Sequence, residues 1–431
     1  MQAGSKIVIV GGGVAGLVLA TQLCRRRTRE PRPEVVLVDR SFAHVWKPML
    51  HTFAAGTREA TLQHVPFLAH AARCGFRYMP GALDAIDRER RVVRLAPLTG
   101  SGEDQLLPAR EVPYDALVLA TGSKANDFCT PGVSEHCAFI DDLSQAEAFN
   151  RSFYERILQA AAQGRPLDLA VVGGGATGVE LAAELTQWAE QMQAYNNTPM
   201  PARVRITLLE SGPRLLAGFA EPVSAAALGQ LRALGVQVRL GTRVVSADQH
   251  GFELAGGGRI DAQLRLWAAG VRGEGGVAVA ARLEINRVGQ IVVGPTLQSS
   301  VDARIFALGD CASLTPRGAG AALPPTAQVA RQQALHASRA IPRLLAGASV
   351  PVFRYRDLGA LVSLAKYNAY GTLGRRGLLK GRLLEGAVAR AGHALLYRLH
   401  QVELHGLARA ALVWASDVLA RAARPRIRVT P

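Results

Sequence analysis

The chain has 431 residues, 49% apolar and 19% charged, with 44 Gly, 22 Pro and only 5 Cys. That length supports about three domains and several cores without staples, and the composition excludes a coiled coil, a collagen and a disordered chain. Net charge is +16, which directs attention to nucleic acid or an anionic surface, but the excess is local: residues 354–431 hold 14 Lys or Arg against 4 Asp or Glu, a net of +10.

The first element is Lys6-Ile-Val-Ile-Val, an apolar run that fits a strand buried on both faces of a parallel sheet. It starts too early to leave room for a signal peptide, so a reducing cytoplasm is expected. The cysteines at 24, 74, 129, 137 and 311 contain no CxxC pair, against both a disulfide scaffold and a Cys-rich zinc module. Gly11-Gly-Gly-Val-Ala-Gly16 follows, then an Ala-rich helix over Leu17–Leu23 and a strand Val35–Val38 ending at Asp39. The longest uncharged run, Ile7–Cys24, has 18 residues but four glycines, so it reads as strand, turn and helix. A spanning helix needs about 20 mostly apolar residues, and none is expected.

Ala116-Leu-Val-Leu-Ala-Thr-Gly122 is another buried strand ending in a glycine turn. The opening pattern then returns 162 positions after its first occurrence. Leu169-Ala-Val-Val leads into Gly173-Gly-Gly-Ala-Thr-Gly178, a helix over Val179–Trp188, a surface loop at Gln193–Pro201, and a strand Val204–Leu209 ending at Glu210. Leu264–Gly270 is the counterpart of Ala116–Gly122, and Arg304–Asp310 is a third strand-to-turn edge. Gln328 and Gln332 fall one helical turn apart after Pro324-Pro325. From about residue 376 the pattern becomes helical, with one apolar stripe at Leu384, Val388, Ala391, Leu395, Leu399 and Val402. A second runs through Leu407, Ala411, Trp414, Val418 and Ala422, and Arg421, Arg424, Arg426 and Arg428 cluster at the end.

A lone GxGxxG is a weak signal, but here it occurs twice, each time between a buried strand and a helix, with an acid at the next strand end. In each loop the first glycine permits the tight turn, the second lets backbone approach a pyrophosphate, and the third lets helix and strand pack closely. Gly11, Gly13 and Gly16 with Asp39 make one dinucleotide site, and Gly173, Gly175 and Gly178 with Glu210 make another. The helix N-terminus offers N–H groups and partial positive charge to the phosphates. Two such sites in one chain point to a flavin and a nicotinamide. Residues 40–73 contain no cysteine, which removes the closely spaced redox pair of glutathione-reductase-like enzymes.

Several stretches carry a resemblance over nearly the whole chain. They are His44-Val-Trp-Lys-Pro-Met-Leu-His51, Asn126-Asp-Phe with Thr130-Pro-Gly132, and Val172-Gly-Gly-Gly-Ala-Thr-Gly-Val-Glu180. Trp267-Ala-Ala-Gly270, Leu308-Gly-Asp-Cys-Ala312, Pro325-Thr-Ala-Gln-Val-Ala-Arg-Gln332 and Leu361-Val-Ser-Leu364 continue it. The chain resembles the type II NADH:quinone oxidoreductases, the single-subunit, non-pumping respiratory NADH dehydrogenases, most closely their proteobacterial branch.

The resemblance implies FAD at the first loop and NADH at the second. It implies that Gly309 and Asp310 support the flavin ribityl chain, and that the Thr121-Gly122 turn passes close to the flavin. Glu180 would help place the nicotinamide, Gln328 and Gln332 would border the quinone site, and Lys366 would bond the flavin N1/O2 edge. One departure is Thr52 after His51, where the family pattern often has an acid, and no role is assigned to His51. No metal ligands are expected.

The expected fold is therefore α/β, with two Rossmann-like dinucleotide-binding domains and a C-terminal amphipathic helical membrane-binding segment. The FAD domain, residues 1–125 and 297–350, is interrupted by the NADH domain, residues 126–296, and residues 351–431 form the membrane and quinone-site segment. The expected activity is FAD-dependent NADH oxidation with two-electron transfer to a membrane quinone and no proton pumping. Expected partners are the quinone and an anionic lipid surface at the cytoplasmic face of the bacterial inner membrane, with no nucleic acid and a homodimer left open. Two alternatives are a soluble NAD(P)H:acceptor flavin reductase and a sulfide:quinone oxidoreductase-like enzyme. The second needs a reactive cysteine pair, for which Cys129, Cys137 and Cys311 are the candidates.

Overall fold

Both glycine loops leave the C-terminal end of an interior strand in a parallel sheet. The computed structural model describes residues 4–25, 32–58, 63–100, 104–195, 203–373 and 383–423. Its internal contacts separate Met1–Trp46, Gln63–Lys124 and Val271–Tyr355 from Lys47–Leu62, Ala125–Gly270 and Arg356–Pro431.

In the first unit the strand order is Ile305–Ala307, Ala116–Leu119, Lys6–Val10, Glu34–Asp39, Arg77–Pro80. Every neighbouring pair is parallel, with Ile7 opposite both Ala116 and Val35. Ile7, Val8, Ile9 and Leu117 are fully buried, as a strand covered on both faces requires. The order reverses at Lys6–Val10, so the first glycine loop opens at the switch point where ligands of such sheets bind. The loop's helix, Val14–Arg25, packs against the late helix Ala327–Leu345, whose N-cap Thr326 accepts the Val329 N–H. Leu83–Asp87, Val92–Leu95 and Arg110–Pro113 add an antiparallel sheet.

The second unit repeats the plan with strands Gln237–Arg239, Val204–Leu209, Leu167–Val172 and Leu264–Trp267, again all parallel. The helix Ala176–Tyr195 follows its glycine loop and is longer than the expected Val179–Trp188; residues 196–201 of the expected loop lie outside the described residues. Trp188, fully buried, meets the Phe153 ring edge-on at 4.7 Å and fixes this helix to the helix Leu143–Ala162. The short helix Leu50–Ala54 packs on both of these helices, which is why residues 47–62 belong to this unit. Residues 271–296, expected with the second domain, group with the first, where the helix Gly276–Ala280 packs on Leu83–Asp87.

Residues 356–431 group with the second unit. They open on an antiparallel sheet of Gly359–Leu364, Asn368–Leu373 and Leu383–Glu385. The expected helix therefore begins only at Gly386, because Leu383 and Leu384 pair with Thr372 and Gly371 instead. Two helices follow, Gly386–His405 and Leu407–Ala423, joined at Gly406 with φ +79°. Their polarity is inverted relative to a core-packed pair. Val388, Leu395, Leu396, Leu399, Leu407, Leu412, Val418 and Leu419 are all exposed, Leu412 at 71%. On the facing side, Arg398 Nη1 bonds Asp417 Oδ2 at 2.6 Å, and Gln401 Oε1 accepts from Trp414 Nε1 at 2.8 Å. Arg424, Arg426 and Arg428 lie outside the described residues. Among the described residues no helix is long and apolar enough to cross a membrane.

Candidate functional site

The first loop is built by close backbone contact. Gly11, at φ +103°, lies against the Ala120 carbonyl, and its N–H donates to Val38 O at 2.8 Å. A Cβ on Gly16 would collide with Gly11 O, whereas one on Gly13 would meet nothing within 4 Å. Two glycines thus permit the turn and the third leaves open space for a ligand. Asp39 is already oriented, its Oδ2 accepting the Gly12 N–H at 2.5 Å and its Oδ1 the Ser41 N–H at 2.7 Å. Burial outweighs these bonds and raises the Asp39 pKa above its ordinary value. His44, to which the sequence assigned no role, is buried and donates from Nδ1 to Gly12 O at 2.9 Å.

The second loop repeats this arrangement. Gly173, at φ +114°, lies against Ala268 O; a Cβ on Gly178 would strike Gly173 O; and Gly175 faces open space. Glu210 Oε2 accepts the Gly174 N–H and its Oε1 the Gly212 N–H, both at 2.6 Å. Arg214 beside it is committed elsewhere, donating to the carbonyls of Ala217 at 2.6 Å and Phe219 at 3.0 Å. Both loops therefore fit a dinucleotide, with an open backbone cradle, a helix N-terminus and a preset acid for a ribose.

The late strand-to-turn edge of the first unit is equally well supported. Gly309, at φ +73°, donates its N–H to Gln333 Oε1 at 2.6 Å, and Gln333 is 1% exposed. Asp310 Oδ2 accepts from Ser123 Oγ at 2.9 Å, just beyond the Thr121-Gly122 turn, and Asp310 O accepts from Gln290 Nε2 at 2.8 Å. Cys311 is buried, its thiol pointing at the Leu119 and Leu308 carbonyls, and burial raises its pKa. Gln328 accepts from Tyr355 OH at 2.8 Å, and both Gln328 and Gln332 are half-buried on one helix. The sequence reading missed Gln333, whose neighbour Gln332 shows the same residue type on another side of the helix.

Glu180, on the first turns of the second loop's helix, is buried, and its Oε1 accepts the Ser363 N–H at 3.0 Å. His51 Nδ1 lies 3.5 Å from its Oε2 and His393 Nε2 lies 3.7 Å from its Oε1. Burial pushes the Glu180 carboxyl up to about 8 and the His51 imidazole down to about 3. Lys366 stands apart from this group: its ammonium pairs with Glu190 at 2.8 Å and is half-exposed. Among the described residues no three His, Cys, Asp or Glu side chains are grouped to hold a metal.

Such paired loops define a class. Residues 5–334 match the family model of the pyridine nucleotide-disulphide oxidoreductases. A type II NADH:quinone oxidoreductase of Haemophilus influenzae is 39% identical over 98% of this chain and 99% of its own length. One from Staphylococcus aureus is 28% identical over 85% and 89%. The structure of NDH2 from Plasmodium falciparum in complex with NADH superposes with a TM-score of 0.81 at 18% identity, covering 98% of this chain and all of that one, which establishes the shared fold. The chain belongs to the type II NADH:quinone oxidoreductases, within the pyridine nucleotide-disulphide oxidoreductase family.

Proposed function

We propose that this chain oxidises NADH and passes both electrons to a membrane quinone, with FAD held at the first glycine loop and NADH at the second. The observation that carries the reading is the doubled cradle, each with an acid preset by its own glycine N–H. FAD is favoured over a mononucleotide flavin because Asp39 stands at the strand end where an adenosine ribose would bond it, and the space at Gly13 suits a diphosphate. When bound, the flavin supplies a ring that accepts a hydride and returns electrons in pairs. The chain's own residues bind, orient and shield. Gln333 holds the Gly309 turn and Ser123 holds the Asp310 carboxylate, so this turn is prebuilt to meet the ribityl hydroxyls. Glu180 places the nicotinamide, and Gln328 and Gln332 offer uncharged amides to a quinone carbonyl.

The exposed leucines of the last two helices and the basic balance of residues 354–431 favour peripheral attachment to an anionic lipid surface, at the cytoplasmic face. The sulfide reading gains no support from the cysteines. All five are free, Cys311 is buried against carbonyls, and burial pushes the Cys137 thiol up to about 12.

The test is NADH oxidation with and without a short-chain quinone, with the flavin identified after acid release. A chain that binds no flavin, or whose NADH oxidation ignores quinone, overturns the reading. Within it, Gln328→Leu with Gln332→Leu is expected to weaken the quinone half-reaction while reduction by NADH survives. Loss of the NADH step with normal quinone affinity would assign the glutamines to the flavin site instead. Glu210→Ala is expected to narrow the preference for NADH over NADPH by about tenfold or more, because the carboxylate repels a 2′-phosphate. Arg214 is tied to backbone carbonyls, and an unchanged kcat/KM ratio would remove Glu210 from the ribose site.

A further inference from the structure

Two cysteines that the proposed function does not use stand together at the far end of the helix that follows the first glycine loop. That helix, Val14–Arg25, packs on the helix Phe67–Cys74, and Thr21 Oγ1 meets His70 Nε2 across the contact at 2.8 Å. Cys24 lies one turn beyond Thr21 and Cys74 one turn beyond His70, so each is in the last turn of its helix, where backbone gives most readily. Both thiols are free and half-buried, and they are near enough that charge on Cys74 acts on Cys24. A guanidinium has only donors, so Arg73 Nη2, 2.5 Å from His70 Nδ1, makes that nitrogen an acceptor. The ring hydrogen is therefore on Nε2, which faces both Thr21 Oγ1 and, at 3.5 Å, Cys74 Sγ. A buried imidazole thus presents an N–H to the Cys74 sulfur, with the exposed Arg73 on its other nitrogen. Cys24 differs: burial pushes its thiol up to about 11, with Cys74 adding to the rise and Arg32 opposing it.

We propose that Cys24 and Cys74 are a redox-responsive pair that hydroperoxides oxidise to a reversible disulfide. Cys74 Sγ, the sulfur that the imidazole N–H faces, attacks a peroxide oxygen. The O–O bond breaks, water leaves with the thiol proton, and the sulfur, oxidised by two electrons, becomes a sulfenic acid. Cys24, which stays protonated until then, is the resolving thiol. Its sulfur attacks Cys74 Sγ, the S–O bond breaks, and the departing hydroxyl takes the Cys24 proton as a second water. Two thiols and one hydrogen peroxide thus give one disulfide and two waters. In a reducing compartment such a bond is transient, as in redox sensing, and thiols reverse it by exchange. Its effect falls on the first glycine loop. The opposite end of the helix Phe67–Cys74 sets the Phe67 ring against Gly12, where a Cβ would strike it, so the disulfide ties this wall of the loop to the loop's own helix.

The experiment exposes the full-length protein, reduced and folded, to a small molar excess of hydrogen peroxide. Remaining thiols are then blocked with N-ethylmaleimide in denaturant, and the protein is digested without reductant for mass spectrometry. The expected product is a linked peptide pair joining Cys24 to Cys74, which dithiothreitol separates. The bond closes a loop of about fifty residues, and long closed loops stabilise most. The melting midpoint is therefore expected to rise by several degrees on oxidation of the parent and to stay unmoved in Cys74→Ser. Cys24→Ser is expected to stop at the sulfenic acid, captured on Cys74 by dimedone, whereas Cys74→Ser gives no adduct on Cys24. Thiols at 24 and 74 that both stay free in the parent overturn the pair, as does a sulfinic acid on Cys74 without the cross-link. A cross-link that forms equally fast in denaturant also overturns it, since the folded packing would then contribute nothing. None of these readouts needs NADH or quinone turnover, so the pair stands or falls separately from the proposed function.

Discussion

Gly178→Ala is expected to abolish reduction by NADH while the flavin stays bound. The added methyl would stand on Gly173 O, so the helix Ala176–Tyr195 must lift away from its strand. That helix carries both the N–H groups of the cradle and Glu180, and misplacing a bound reactant by about 1 Å costs on the order of a hundredfold in rate. A hundredfold or greater fall in kcat/KM for NADH is therefore expected, with normal flavin content after acid release. Gly16→Ala places its methyl on Gly11 O and is expected to give the opposite result, loss of the flavin itself. A Gly178→Ala enzyme with parental kcat/KM would show that the second loop does not hold the nicotinamide.

Replacing Leu395, Leu399, Leu412 and Leu419 together by Ser is expected to release the protein from anionic vesicles. All four are exposed on the terminal helices, so their loss costs little folding stability. Burying one leucine side chain is worth roughly 1.5 kcal/mol or more. Even half insertion of four such residues sums to about 3 kcal/mol, a fall in partitioning of about a hundredfold, read by vesicle sedimentation. Binding of the parent should also weaken with salt, because basic side chains contribute about 1 kcal/mol each near an anionic surface. Activity with soluble acceptors should persist and that with long-tailed quinones fall most. A leucine-depleted protein that sediments like the parent would make the outer face an interface between protein copies instead.

What the sequence made legible follows from where burial is strongest. Parallel strands covered on both faces leave uninterrupted apolar runs, so Lys6–Val10, Ala116–Leu119, Leu167–Val172 and Leu264–Trp267 were readable with the glycine turns that end them. Asp39 and Glu210 were readable as candidates because each closes the strand that follows its loop and helix, whereas Glu180 was singled out only by the family resemblance. The C-terminal sheet was not readable, since Leu383 and Leu384 continue the periodicity of the helix beyond them, and only pairing with Gly371 and Thr372 makes them a strand. Periodicity also locates an apolar stripe without saying which way it faces. The grouping of His51 and His393 was unreadable for a different reason: they lie far apart in the sequence and meet only at the Glu180 carboxyl, His51 from a short helix packed on that residue's helix and His393 from a helix packed on the C-terminal sheet. Gln333 differs from Gln332 by one residue of helical phase, about 100° of rotation, enough to bury one amide while leaving its neighbour half-buried.

The seam between the last two helices places unequal demands on sequence drift. Outer positions such as Leu412 and Leu419 need only remain greasy, and any of several apolar residues satisfies them. Arg398 and Asp417, at 19% and 9% exposure, have no such latitude. Changing one alone breaks a largely buried ion pair, at a cost of up to about 3–5 kcal/mol. Gln401 is similarly bound, because its one carbonyl oxygen serves both Arg398 and Trp414. The hairpin can therefore wander freely on the side that meets its surroundings, while the hidden polar side can change only by coordinated replacement.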